Sequence, residues 1–214
     1  MEVLATFTLN FVYSSATLAL IVLGLALVFG LLGVMNMAHG EFVMLGAYSA
    51  YVVQSFSANF LWAVPISIIV CALVGWLMEW AIIRHLYRRP FDTLLATWGV
   101  AILIRKGIEA IFTRDYKSIN QIMPETVEIL GITYPSYRLL LIAIIISLFV
   151  VLFTWYQKSK TGLRIRAMVR NPELASAIGI DTAQLSSATF IIGVSSAGLA
   201  GVLLSPLVRV EPYI

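Results

Sequence analysis

Long apolar runs separated by short polar stretches recur along the chain, at about 7–33, 41–55, 60–83, 92–112, 137–157 and 184–208. A helix rises 1.5 Å per residue, so about 20 residues cross the hydrocarbon core of a bilayer. The last four runs meet that length, the first exceeds it, and the second, at about 15 residues, falls short of it. The pattern predicts an all-α, polytopic transmembrane helical bundle of about six segments, forming one domain over residues 1–214. It carries no clear internal repeat and no low-complexity stretch.

Between the first two runs stands NMAHGE, residues 36–41. Gly40 and Gly46 relax the helix there, and Asn36 and His39 supply side chains for freed backbone groups. A helix broken near 34–41 and followed by a short apolar segment points, by analogy with secondary transporters, to a solute pathway. The same residues also read as a tight cytosolic reversal, with Glu41 favouring the helix dipole.

Composition agrees with the pattern. The chain is 60% hydrophobic and 12% charged with a mean hydropathy of +0.94, outside the range of ordinary soluble domains. The net charge of +3 does not indicate nucleic acid, because the basic residues sit in loops beside apolar segments. Arg84, Arg88 and Arg89 follow the third run, and Lys158, Lys160, Arg164, Arg166 and Arg170 follow the fifth. Both loops are thereby expected on the cytoplasmic face, with the amino terminus outside and residues 113–136 as an outer loop. Within that loop VEILGITYP, around Gly131, suits a small hairpin. Trp76, Trp80, Trp155 and Tyr156 suit the aromatic belt of the inner interface. The first Lys or Arg is Arg84, so no cleavable signal peptide is expected.

Few groups capable of covalent or metal chemistry are present. Cys71, His39 and His85 form neither a metal site nor a catalytic constellation, and no phosphate-binding GxxxxGK[ST] loop occurs. No metal and no cofactor are expected.

Residues 171–179 specify a short helix. Asn171 is the N-cap, Pro172 the first helical residue, Glu173 complements the dipole and Gly179 terminates. Leu174, Ala175 and Ile178 fall on one face, an apolar knob that suits a groove in a partner or, alternatively, the membrane interface. Asp181 and Gln184 have the spacing of a capping box for the last run. In that run Gly193, Ala197 and Gly201 repeat every four residues, the small-residue stripe that lets helix backbones approach. Ser195 and Ser196 lie beside it. Among charges in apolar runs, Glu79 precedes Arg84 by about one turn, and Arg105 is spaced to pair with Glu109. Thr97, Trp98 and Gly99 fall near the middle of the fourth run, where a hydroxyl, an aromatic face and a gap suit either a small polar solute or core packing.

Three motifs carry a resemblance. NMAHGEFVMLGAY at 36–48, DTLLATWGVAIL at 92–103 and SKTGLRIRAMVRNPELASAIGIDTAQL at 159–185 are together similar to the inner-membrane permeases of bacterial ABC importers for branched-chain amino acids, the LivH type, and their relatives in urea import. The resemblance runs through essentially the whole chain, and the second motif leans toward the urea branch. It implies a second permease subunit, two cytoplasmic ATPase subunits and an external solute-binding protein, all at the bacterial inner membrane. The implied mechanism is alternating access, with Asn36, His39, Gly40, Glu41, Thr97, Trp98 and Gly99 along the solute path and Asn171 to Gly179 as the coupling helix. The expected cargo is urea or a related amide, the alternative a branched-chain amino acid. A passive channel or an inactive fragment is a further reading. Members of this family continue some eighty residues past VEPYI, so the chain is expected to be truncated relative to them. Arg105, His85 and Arg88 depart from the usual pattern.

Overall fold

The computed structural model describes residues 2–87, 89–120, 123, 125–129 and 132–212. Among the described residues the chain is all-α apart from one hairpin. Helix α1, Glu2–Leu32, is about 46 Å long at 1.5 Å per residue and exceeds the ~30 Å hydrocarbon core. It stops at Gly33, whose φ of +68° is open to glycine and whose N–H reaches Phe29 O at 2.9 Å. Six residues, 33–38, separate it from α2, His39–Ser55.

A 3₁₀ turn, Phe60–Trp62, capped by Asn59, leads into α3, Ala63–Met78. This helix continues through a π-helical stretch, Glu79–Ile83, into the short α4, Arg84–Leu86. Then come α5, Pro90–Phe112, and the strands β1, Thr126–Ile129, and β2, Ile132–Pro135. The strands pair antiparallel from Thr126↔Pro135 to Ile129↔Ile132, as the VEILGITYP pattern predicts, while Gly131 lies outside the described residues. So does Arg88. Helix α6, Ser136–Lys158, is followed by α7, Lys160–Arg170, α8, Pro172–Ala177, and α9, Thr182–Leu204.

Among the described residues, four helical stretches are long and apolar enough to cross a membrane: Val3–Leu32, Phe60–Leu86, Ser136–Lys158 and Thr182–Leu204. Two of the six apolar runs fall outside that group. Helix α2 has only 17 residues, and α5 carries Asp92, Arg105, Lys106 and Glu109.

Helix α9 sits at the centre and packs on α1, α2 and α3 through glycines. A Cβ on Gly46 would collide with Gly198 O, and one on Gly201 with Val43 O, so α2 and α9 touch backbone to backbone. A Cβ on Gly193 would meet Val28, and one on Gly24 would lie 3.2 Å from Ala197 N. Towards α3, Gly198 faces Cys71, and Gly75 of α3 faces Val194. Gly193, Ala197 and Gly201 thus all stand at helix contacts, and Gly198 adds a second face that the four-residue repeat does not include. Enclosed in this way, α2 is buried along nearly its whole length, from His39 to Val53.

Helix α6 packs on α1 and α9 through Leu20, Tyr137, Leu141, Ile145 and Leu203, and the Tyr137 hydroxyl donates to Leu203 O at 2.8 Å. Its other faces expose Ile146, Val150, Val151 and Phe153, as suits contact with lipid. Arg166 of α7 donates to Tyr156 O and Gln157 O, giving a cation to the carbonyl end of α6. At the hairpin end, Lys117 and Val210 exchange two backbone hydrogen bonds of 2.9 Å, which tie the chain after α9 to the loop after α5.

The glycine contacts make a contrast that thermal unfolding in detergent will resolve. Gly46→Ala is expected to destabilise by about 2 kcal/mol or more, because the obstructing atom is backbone and cannot rotate away. Gly107→Ala, with open space around its Cβ, is expected to be neutral or to stabilise by up to about 1 kcal/mol.

Candidate translocation site

Residues 33–38 are not helical: Gly33 is left-handed, residues 34–36 form no regular structure and residues 37–38 turn into α2. Val34, Asn36 and Ala38 are buried, whereas Met35 and Met37 are 40% and 53% exposed, so two flexible thioethers flank an inward amide. The segment doubles back alongside α1. His39 Nε2 donates to Ile21 O at 2.8 Å, a carbonyl about 16 Å before the end of α1 at 1.5 Å per residue. The start of α2 therefore lies deep in the bundle, level with the middle of α1.

Backbone freed from helical pairing at that depth needs partners from the protein. Asn36 Oδ1 accepts from Ala38 N at 3.1 Å. The Thr97 hydroxyl of α5 accepts from Met37 N at 3.0 Å and reaches Met35 O at 3.3 Å, serving both edges of the residue between them. Glu41, in the first turn of α2 and 5% exposed, forms an ion pair with Arg105 of α5. Within residues 33–41 two buried side-chain atoms have no hydrogen-bond partner among the described residues, Asn36 Nδ2 and His39 Nδ1. Because Ile21 O only accepts, the His39 proton sits on Nε2 and Nδ1 is an acceptor. An unpaired amide donor and an unpaired imidazole acceptor thus flank the entry to α2. Gly40 is exposed, with open space where a Cβ would stand.

The structure therefore brings Asn36, His39, Gly40, Glu41 and Thr97 together. Trp98 and Gly99 do not join them. Trp98 is 56% exposed and Gly99 has nothing around its Cβ, because both stand on the outer face of α5, turned away from Thr97 by the helical step. Arg105 reaches across to Glu41, and Glu109 accepts from Lys106 at 2.8 Å and Arg114 at 3.3 Å. The inward direction of Arg105 is legible in retrospect, since Thr93, Thr97, Ala101 and Arg105 recur every four residues and the first three are buried. Among the described residues no group of three or more His, Cys, Asp or Glu could hold a metal ion.

Near the end of α1, across a cavity lined by Leu31 and Leu32, α8 is built as its residues dictate. Asn171 Oδ1 accepts from Leu174 N at 2.9 Å and Pro172 occupies the first position. After α8, Gly179 adopts φ +88°, its N–H reaching Ser176 O and the Ile180 N–H reaching Ala175 O, both at 3.0 Å. The helix ends at Ala177, one residue before the expected bound. The expected apolar knob of three residues is reduced to two. Leu174 and Ile178 are 62% and 68% exposed, but Ala175 is 2% exposed and anchors the helix to the body. Asp181 Oδ1 accepts from Gln184 N at 3.0 Å and starts α9. Ser196 bonds back to Ile192 O within α9.

The family described as "Branched-chain amino acid transport system / permease component" matches residues 7–213. The chain belongs to this family. Among relatives, the permease is 26% identical to the high-affinity branched-chain amino acid transport system permease protein BraD of Pseudomonas aeruginosa, over 88% of its own length and 66% of that protein's. It is 28% identical to LivH of Salmonella typhimurium, over 96% of its own length and 72% of that protein's. It is 27% identical to a probable LivH of Methanocaldococcus jannaschii, over 94% of its length and 66% of that protein's. The permease thus spans about two thirds of the length of these relatives. No solved structure matches it. Family and relatives alike are named for branched-chain amino acids, and the lean toward urea drawn from DTLLATWGVAIL finds no support in them.

Two substitutions separate the roles of the buried polar groups. Arg105→Gln leaves the Glu41 carboxylate without its cation and is expected to cost about 3 kcal/mol or more, most of which Glu41→Gln in the same chain restores. Thr97→Val removes the bridging hydroxyl at constant shape and is expected to cost about 1–3 kcal/mol, while Thr97→Ser is nearly neutral. Unfolding in detergent, followed by circular dichroism, reads both.

Proposed function

We propose that the chain is a membrane-spanning subunit of an ATP-driven importer of branched-chain amino acids. The match of residues 7–213 to the permease family carries this reading. In it the loops bearing Arg84 and Arg89 and those bearing Lys158 to Arg170 face the cytosol, the amino terminus is outside, and α2 and α5 complete six membrane segments in one domain. The helix interrupted at 33–38 lines the solute path. Asn36 and His39 offer a donor and an acceptor to the polar end of the solute, and Met35 and Met37 offer adaptable apolar contact to an aliphatic side chain. Thr97 and the Glu41–Arg105 pair hold that segment in place, and Trp98 and Gly99 face lipid or a partner.

The partners are a second permease subunit, two cytoplasmic ATPase subunits and an extracytoplasmic solute-binding protein. The exposed pair Leu174 and Ile178 enters a groove of the ATPase. ATP-driven closure of the ATPases then moves α8, and through Asp181 the adjoining α9, against the helices around the path, which exchanges outward for inward opening. ATP hydrolysis resides in the ATPases, and this subunit supplies the path.

Uptake of labelled L-leucine and labelled urea by cells expressing the chain with its neighbouring genes tests the reading. Leucine uptake is expected, and Ile178→Asp, which puts a charge into the apolar contact, is expected to lower it about tenfold or more. Urea uptake lost on the same substitution would transfer the protein to the urea branch. Uptake indifferent to it would establish a passive channel.

A further inference from the structure

At the α8 end the fold forms a half-open cavity of about 740 Å³ that none of the groups assigned to the solute path lines. Its walls come from two bodies. Leu31 and Leu32 close α1, Glu79 and Arg84 stand on the π-helical stretch and α4, Met168 belongs to α7, and Ser176 belongs to α8. The volume lies within the ordinary range of small-molecule sites.

Glu79 gives the cavity its chemistry. It is 3% exposed and accepts from Ser187 Oγ of α9 at 2.9 Å and from the Tyr87 hydroxyl at 3.4 Å. Burial, reinforced by the adjacent Glu79 carboxylate, pushes the Tyr87 phenol up, so it remains a proton donor to that carboxylate. Among the described residues no cation forms an ion pair with Glu79, and Arg84, expected beside it from the sequence, does not close on it. Two neutral hydroxyls orient a carboxylate but leave its charge uncompensated, a costly state for a desolvated group. A mobile cation entering the cavity relieves it. Arg84 is an exposed cation on the same wall, and Leu31, Leu32 and Met168 are apolar. Carboxylate, guanidinium and apolar surface in one cavity are complementary to a zwitterion with an aliphatic side chain.

We propose that this cavity is a second amino acid site, with the ammonium of the ligand on Glu79, its carboxylate toward Arg84 and its side chain on Leu31, Leu32 and Met168. The ligand bridges the α7–α8 unit and the long helices, so its binding favours the arrangement seen here over any in which α8 has moved. Filled from the ATPase side, the site makes accumulated cargo an inhibitor of its own import. The cargo's identity rests on the importer reading above; the site itself rests on the cavity and Glu79.

The test uses the purified complex of both permease subunits and the ATPases, without ATP or binding protein. Equilibrium binding of labelled L-leucine is measured with 3-methylbutylamine, which lacks the carboxylate, and 4-methylpentanoate, which lacks the ammonium, as competitors. The amine is expected to compete and the acid to fail. Glu79→Gln is expected to weaken binding roughly tenfold to a hundredfold, the worth of one charge-assisted hydrogen bond. Ala183→Trp, exposed on the cavity wall at the start of α9, fills the cavity without touching the buried network and is expected to do the same. In proteoliposomes, leucine on the ATPase side is expected to suppress uptake by the wild-type complex and not by Ala183→Trp. Leucine binding that depends on Glu79 and Ala183 without any leucine uptake would sink the importer reading and keep the site. Leucine uptake with binding and suppression indifferent to Ala183→Trp would overturn the site and keep the importer.

Discussion

Contact between the backbones of α2 and α9 is the constraint on which the other features depend. Within hydrocarbon, helices gain little from leaving lipid for one another, and association draws on close packing and hydrogen bonds. Gly46, Gly198 and Gly201 bring α9 against α2, while Gly24 with Gly193, and Gly75 with Val194, bring α1 and α3 to the other faces of α9. The outcome is a short helix enclosed by longer ones. A side chain at any of these contacts would hold the helices apart and open α2 to lipid or water.

Enclosure of α2 dictates the chemistry at its start. The chain must reach His39 through the bundle, so residues 33–38 leave the helix with Val34, Asn36 and Ala38 buried, and their backbone needs partners from the protein. Thr97 and Asn36 satisfy part of that demand, and the Glu41–Arg105 pair joins the first turn of α2 to α5. Each of these bonds fixes the segment in place. The atoms left over, Asn36 Nδ2 and His39 Nδ1, are held by neighbours that are already committed, and such preorganised groups bind a ligand without reorganisation.

The α8 end is organised on the opposite principle. Helix α8 is only six residues long and owes its shape to local devices, the Asn171 cap, Pro172 and the left-handed Gly179, with Ala175 as its buried anchor. Few interactions bind it to the long helices, and the cavity around Glu79 separates it from them. A rigid seam and a loosely attached lever therefore share α9, which starts at the Asp181 cap three residues after the end of α8's last turn at Ile178. Glu79, bonded to Ser187, ties the π-helical stretch to the same helix.

Local chemistry was legible in the sequence. The apolar runs, the hairpin VEILGITYP, the caps at Asn171 and Asp181 and the glycine terminator Gly179 all follow from interactions between near neighbours, where spacing alone sets the geometry. What spacing could not supply was direction. Trp98 and Thr97 are adjacent in sequence yet only Thr97 meets the bundle, Ala175 turns in while Leu174 and Ile178 turn out, and Arg105 finds Glu41, 64 residues away, in addition to what lies along its own helix. A helix surrounded by lipid on one side and protein on the other is apolar on both, so hydrophobicity does not mark the buried face. By itself the sequence determined which segments are helical and where they start and stop, because those depend on local backbone pairing. Only the tertiary structure decided which faces meet, because that depends on how closely distant backbones can approach.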